Sequence, residues 1–200
     1  MPGYGYSGRP AGAPLDCIAV AGLWAALMGV LGYRRFGVAG GDIGSAVSRY
    51  LMHRTKPQTA AAGLTDSPAG LAAWITEKLR AWSDCGGDLE RSFTKDEILT
   101  NITIYWLTAT IGSSMRMYHA NAAIPAAQHA RRVEVPSGFS LFPGDILRPP
   151  RAWLERVANV VRVTEPMRGG HFAPFEEPEL YAQELRAFFR PYRADGPVRQ

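Results

Sequence analysis

The chain has 200 residues, of which 46% are hydrophobic and 20% are charged, an ordinary globular composition with room for one sizeable core. Its formal charge of +4 comes from scattered arginines, and without a run of like charges we expect no nucleic-acid partner. The two cysteines, Cys17 and Cys85, lack disulfide or zinc-ligand spacing, so we expect no metal and a reducing, cytoplasmic location.

The first 32 residues predict a loop and then a helix. Residues 1–14 are dense in glycine and proline, and a folded domain seldom opens on such a loop, so the start looks like an interior piece of a longer protein. The following helix, from about Asp16 to Gly32, has an acidic cap and a terminal glycine. Its apolar run is shorter than the roughly 20 residues of a membrane span. We therefore predict a buried helix that packs on a sheet, and no membrane span.

Residues 36–51 predict a short strand, a sharp turn and a helix. The strand starts at Phe36, the turn holds Gly40, Gly41 and Asp42, and the helix has Gly44 and Ser45 in its first turn. Small residues let such a turn hold its central side chain clear of its neighbours, and here that side chain is a carboxylate. The amide of the next residue, Ile43, would point into the space in front of it.

An acid held at such a turn could attack an electrophilic carbon. The alternative interpretation is that Asp42 only caps the helix that follows, as aspartate often does.

A helical block follows, between about Thr55 and Tyr118. Ser67 and Pro68 are typical of a helix start, and the helical pattern continues to Trp82. The polar, glycine-rich stretch 83–92 predicts a loop, and 95–117 predicts a helical pair. No strand alternates with these helices, so we interpret the block as an insertion in an α/β chain.

From Val133 onward the pattern alternates between strand and helix. It predicts strands over 135–142 and 159–164, helices over 150–157 and 178–189, and a glycine-bearing turn after each strand. Asp145 lies in the first turn and His171 in the second. In a parallel sheet the ends of the strands form the edge where functional sites are built.

Asp42, Asp145 and His171 thus stand in the order nucleophile, acid, histidine, which is the order used by α/β-hydrolases. A carboxylate attacks without a base and forms an ester, which leaves the histidine free to activate the water that cleaves it. The acid would hold the imidazole in the right tautomer. Each residue has a plainer interpretation: His171 as a loop histidine satisfied by backbone groups, and Asp145 as a common turn acid after Pro-Gly.

Several blocks in order resemble the epoxide hydrolases of the α/β-hydrolase fold, in particular the microsomal-type branch. The resemblance covers almost the whole chain. The blocks are Pro2 to Ser7, Gly40 to Gly44, Thr55 to Pro57, Asp66 to Ala73, Asn101 to Trp106, Phe142 to Asp145, Arg168 to Phe172, and Glu176 to Leu180.

The resemblance implies a detoxifying hydrolase that converts an apolar epoxide and water to a vicinal diol without metal or cofactor. In it, Asp42 opens the epoxide, the Ile43 amide is an oxyanion-hole donor, His171 is the base for ester hydrolysis, and Asp145 is its partner. Tyr118 matches a lid tyrosine whose hydroxyl donates to the epoxide oxygen, which is reasonable because an alkoxide leaving group needs a donor.

The sequence also departs from the family. Tyr50 occupies the approximate place of a second lid tyrosine, but it also fits the helix that follows the nucleophile, and we assign it to the helix. A His-Gly-x-Pro turn that supplies the other oxyanion donor is missing. The family has a core strand and most of the lid between Arg54 and Thr55, so the chain resembles a member truncated at the N-terminus and internally.

We therefore expect an incomplete parallel sheet with a helical lid remnant. The expected parts are a partial hydrolase core with the nucleophile turn over 1–54, a lid remnant over 55–120, and a C-terminal core with the acid and histidine over 121–200. A homo-oligomer is compatible with this organisation.

Two other functions stay open. The chain could be a non-catalytic remnant that at most binds a partner through bare sheet edges and apolar lid helices. It could also resemble a haloalkane dehalogenase, which uses an aspartate nucleophile and binds halide with tryptophan or asparagine; Trp106 supports this, and the block around Tyr118 argues against it.

Overall fold

The computed structural model describes residues 1–40, 63–129 and 131–193, which cluster into two compact units. We call the first the helical unit; it comprises Met1–Ala81 and Gly87–His129. We call the second the sheet unit; it comprises Trp82–Gly86 and Ala130–Gln200. The three-part division predicted from the sequence stays a prediction.

The described residues of the helical unit hold helices joined by loops and 3-10 turns. The helices predicted from Asp16, from Ser67 and over 95–117 are confirmed, with small changes at their ends, whereas the short helix at Ala126–His129 is not predicted from the sequence. The helices with both ends described are α1 (Cys17–Val30), α2 (Pro68–Trp82, whose last residue belongs to the sheet unit), α3 (Lys95–Thr108), α4 (Ile111–Ala122) and α5 (Ala126–His129), and a 3-10 turn lies at Leu89–Arg91.

Helix α1 begins and ends where its sequence predicts. The Asp16 side chain accepts a hydrogen bond from the Ala19 amide at 2.8 Å, and Gly32 follows the helix with a φ of +82°. The predicted burial is wrong, however, since Val20 is its one buried residue while Leu23 and Trp24 are about half exposed. No strand lies in the described part of the helical unit, so the apolar side of α1 has no sheet there to pack on.

Helices α2 and α3 also start on side-chain caps. The Ser67 hydroxyl accepts from the Gly70 amide at 2.9 Å, and Leu71, one turn into α2, is fully buried. At the start of α3, Thr94 and Glu97 form a reciprocal capping box. Local signals of this kind mark where these two helices begin.

The N-terminal loop lies on α4, the helix that carries Tyr118. The Tyr4 hydroxyl donates to the Ser114 carbonyl at 3.2 Å, and the Gly5 amide donates to the Thr110 hydroxyl at 3.2 Å. Arg116 donates to the Gly12 carbonyl at 2.9 Å. The glycine-rich start is therefore a loop, as predicted, and it is held against one helix.

In the sheet unit the described strands pair in parallel, and the predicted strand and helix order is confirmed. Val133 pairs with Ala158 and Ser140 with Thr164, with register shifts between them. The elements are β1 (Val133–Ser140), α6 (Arg151–Val157), β2 (Ala158–Thr164), α7 (Ala173–Glu176), α8 (Pro178–Phe189) and a 3-10 turn at Arg190–Tyr192.

Helix α8 packs against the sheet. Gly138 of β1 lies under the Phe188 ring so closely that an added Cβ would come within 2.5 Å of a ring carbon. The Glu184 carboxylate accepts from the hydroxyls of Ser140 at 2.9 Å and Thr164 at 2.5 Å. These contacts fix the carboxyl ends of both strands, where the two glycine turns begin.

The sequence expectation differs from the structure around residue 36. Residues 36–40, predicted as the start of a strand, have no regular secondary structure. A strand is stable only when it is paired, and in the described residues Val133–Ser140 and Ala158–Thr164 pair with each other. The turn at Asp42 and the helix predicted from Ser45 lie outside the described residues. None of the described helices has the length and hydropathy needed to traverse a bilayer.

Candidate active site

The loop after β2 presents His171 at the carboxyl end of the sheet. Gly169 adopts a φ of +104°, which favours glycine, and an added Cβ there would lie 2.9 Å from the Phe142 ring. The next residue, Gly170, forms an isolated parallel bridge with Gly144 in the turn after β1. The bridge joins the two glycine turns, and the residue after each bridged glycine, Asp145 or His171, is a predicted site residue.

His171 and Asp145 meet at this point. The imidazole Nδ1 lies 2.8 Å from Asp145 Oδ1, which also accepts from the Ile146 amide at 2.7 Å. The His171 side chain is 9% exposed and the Asp145 side chain 31%. An ionised carboxylate can only accept, so Nδ1 carries the proton and Nε2 holds the lone pair of the neutral ring. The pair therefore has the tautomer that a general base requires.

Aromatic rings surround the imidazole. The Trp82 ring meets it edge-on with centroids 5.4 Å apart, and the Phe172 ring does the same at 5.3 Å. Aromatic pairs favour such edge-to-face geometry. The imidazole is therefore packed against two aromatic rings as well as in contact with Asp145.

Two acidic residues brace the backbone around His171. Asp84 Oδ2 accepts from the Gly169 amide at 3.0 Å, and the carboxylate of Glu176 accepts from the amides of Asp84, Gly170 and Phe172 at 2.7–3.2 Å. Burial raises the pKa of Glu176 above its usual range. The hydrogen bonds from the three backbone amides lower this pKa, and the nearby charge of Asp84 raises it.

Sequence reasoning missed Asp84, Glu176 and Trp82 as part of this site. Glu176 lies five residues after the histidine, in the stretch Glu176 to Leu180 that resembles the epoxide hydrolases. A search for polar residues close to His171 in the sequence could have found it. Asp84 is 85 residues from its partner Gly169 and lies in a stretch predicted only as a polar loop. No local pattern marks such a contact.

The structure describes one of the other predicted site residues. Tyr118 is half-buried in α4 of the helical unit. Asp42 and Ile43 are outside the described residues, as is Tyr50, which the sequence assigns to a helix. The structure therefore brings together Asp145 and His171, and the roles assigned to all five site residues stay predictions. In the part of the chain that is described, no group of three or more histidine, cysteine or acidic side chains has metal-binding geometry.

Comparison with known proteins gives consistent relatives, although no protein-family model matches the chain. A putative epoxide hydrolase of Stigmatella aurantiaca is 35% identical over 246 residues, covering 97% of this chain and 56% of that protein. Epoxide hydrolase 1 of Sus scrofa is 45% identical over 144 residues, covering 67% of this chain and 32% of that protein.

Solved structures agree. Juvenile hormone epoxide hydrolase from the silkworm Bombyx mori superimposes with a TM-score of 0.83 at 30% identity, covering 96% of this chain and 59% of that one. The Aspergillus niger epoxide hydrolase superimposes with a TM-score of 0.79 at 27% identity, covering 96% and 62%. The chain therefore has the α/β-hydrolase fold, as predicted, with a small parallel sheet and many helices.

Within that fold, the chain is a relative of the epoxide hydrolases. It spans about half the length of the Stigmatella relative and about a third of the pig enzyme. The stretch aligned with the Stigmatella protein is 246 residues long, which exceeds the 200 residues of this chain. The Stigmatella protein therefore has residues within the aligned stretch that this chain lacks. The sequence predicts such a missing internal segment.

Proposed function

We propose that this chain is an epoxide hydrolase that converts an apolar epoxide and water to a vicinal diol through an ester on Asp42. The observation that carries the proposal is the 2.8 Å contact between His171 Nδ1 and Asp145 Oδ1 in adjoining turns of the sheet unit. The names of its relatives support the same reaction.

In the first step, a carboxylate oxygen of Asp42 attacks an epoxide carbon and the carbon–oxygen bond of the ring breaks. The departing oxygen is strongly basic, and the Tyr118 hydroxyl donates a proton to it. The product is a hydroxyalkyl ester of Asp42. We propose that Tyr118 acts from a lid formed by residues 55–120, between core parts at 1–54 and 121–200.

In the second step, Nε2 of His171 takes a proton from water as the water oxygen attacks the ester carbonyl. Asp145 stabilises the imidazolium that forms, and the Ile43 amide stabilises the oxyanion. The bond between the carbonyl carbon of Asp42 and the alkoxy oxygen of the ester breaks, and the diol leaves. The two protons of the water go to the departing oxygen and, by way of His171, back to the tyrosine.

The test is trapping of the ester. We would incubate the chain with an aryl epoxide and look for the mass increase on the peptide that contains Asp42. His171→Gln should accumulate the adduct because its hydrolysis stops, and Asp42→Ala should form none. No adduct in either the wild type or His171→Gln would refute the proposal.

A non-catalytic remnant is the second candidate, favoured by the half-exposed apolar side of α1 and by a described sheet of two strands. It predicts that His171→Gln leaves Asp42 unmodified even at high epoxide concentration. It also predicts that Tyr118→Phe has no effect on any residual epoxide loss, whereas the hydrolase proposal predicts slower ring opening.

A further inference from the structure

The backbone of the histidine loop has an unusual set of acceptors. Gly169, Gly170, His171 and Phe172 are consecutive, and the amide of each donates to a group outside regular secondary-structure pairing. The acceptors are, in the same order, the Asp84 carboxylate, the Glu176 carboxylate, the Trp82 carbonyl and again Glu176. The backbone amides of residues 169–172 are therefore all held by hydrogen bonds to acceptors within the sheet unit.

Glu176 is central to this arrangement because its two oxygens face different segments. Oε1 accepts from Gly170 at 3.2 Å and from Phe172 at 3.0 Å, the two neighbours of His171 in the chain. Oε2 accepts from the Asp84 amide at 2.7 Å. One carboxylate thus ties the histidine loop to segment 82–86, whose Trp82 carbonyl accepts from the His171 amide at 2.8 Å.

This arrangement is costly to maintain. Glu176 is partly buried beside Asp84, and that burial raises the pKa of Glu176 because it disfavours the ionised form. A carboxylate kept at such a cost, with hydrogen bonds to both flanks of one residue, suits a role in fixing geometry rather than in adding stability.

We propose that Glu176 is a positioning residue that sets the orientation of the His171 imidazole towards Asp145. It acts through the two amides that flank the histidine and through its bond to segment 82–86. The consequence for turnover rests on the proposed hydrolase function, whereas the consequence for the ring does not. A displacement of about 1 Å at a reacting group can cost on the order of a hundredfold in rate.

The variant that tests this is Glu176→Gln. Glutamine has the same shape but one carbonyl oxygen, so its NH₂ group must face an amide donor on one of the two sides. The matched control is Glu179→Gln, the same chemical change at an exposed position in the first turn of α8. Glu176→Asp is a second variant, which keeps the charge but is one methylene too short to reach both segments.

The first readout is the proton NMR signal of the His171 Nδ1–H, assigned by its loss in His171→Gln. We expect a downfield signal in the wild type and in Glu179→Gln, and its shift or loss in Glu176→Gln and Glu176→Asp, with the far-UV spectrum retained. An unchanged signal in a folded Glu176 variant would overturn the proposal, whatever the activity.

The second readout is turnover of an aryl epoxide. We expect the kcat of Glu176→Gln to fall by about ten- to a hundredfold, because a misplaced imidazole slows hydrolysis of the ester. The KM should fall with it, since the ester accumulates when its hydrolysis is slow. Equal kcat values in Glu176→Gln and Glu179→Gln would contradict positioning. If the wild type neither forms the ester nor turns over, the hydrolase proposal fails, and the NMR signal still decides the role of Glu176.

Discussion

Replacing Gly170 by alanine should destabilise the sheet unit through contact with backbone rather than with a movable side chain. A Cβ on Gly170 would lie 2.7 Å from the Trp82 carbonyl oxygen and 2.8 Å from both the Asp84 amide nitrogen and the Ser83 Cα. Ordinary contact begins at 3.4 Å, so segment 82–84 must move by about 0.6–0.7 Å.

The expected loss in the free energy of unfolding follows from two contributions. Overpacking of this kind costs about 1–3 kcal/mol. The same movement weakens the bonds from the His171 amide to Trp82 and from the Asp84 amide to Glu176, each worth roughly 0.5–1.5 kcal/mol. We therefore expect Gly170→Ala to lose about 3 kcal/mol.

The assay is urea unfolding followed by far-UV circular dichroism. Gly12→Ala is the control, since no described atom lies within 4 Å of a Cβ built at Gly12 and its backbone suits alanine. Its free energy of unfolding should stay within about 0.5 kcal/mol of the wild type. An equally small change for Gly170→Ala would refute the close approach on which the geometry of the histidine loop depends.

Three further predictions concern stability. Thr94→Ala removes the capping box of α3 and should cost about 1 kcal/mol in urea unfolding, whereas Thr94→Ser should cost much less; equal losses would contradict capping. Leu71→Ala empties a fully buried site and should cost about 2–5 kcal/mol, against less than about 0.5 kcal/mol for the exposed Leu99→Ala. Because the folded-state pKa of Glu176 is raised, its contribution to stability is fully present below the unfolded value of 4.5 and is lost as the pH rises through the folded pKa. Over that range the free energy of unfolding of the wild type should therefore fall relative to that of Glu176→Gln. A difference between the two that does not change with pH would contradict the shift.

The helices and the paired strands could be predicted because their signals are local. The helix start at Pro68 depends on Ser67, and the start of α3 at Lys95 depends on a threonine followed three residues later by a glutamate. The strands, the crossover helix between them and helix α8 were predicted from periodicity, within two residues at most of their ends. The proximity of Asp145 and His171 follows from the rule that functional sites form at the carboxyl ends of parallel strands.

What the sequence missed depends on partners that lie far away in the chain. The apolar pattern of α1 predicts a helix, but it does not reveal whether a sheet covers the side that bears Leu23 and Trp24. The apolar run from Phe36 likewise needs a neighbouring strand to become one. Asp84 and Glu176 act through backbone amides, which every residue has, so no side-chain pattern announces them.

The crowding around Gly144, Gly169 and Gly170 has a consequence for how related sequences are compared. An added carbon at any of the three would meet neighbouring atoms at 3.1 Å or less, so selection against larger residues operates there whether or not a reaction takes place. A descendant with no catalytic role would still keep these three glycines for as long as it had to fold. Invariance of these glycines across a phylogeny would accordingly record steric necessity, and only the imidazole and its acidic partner would report on chemistry.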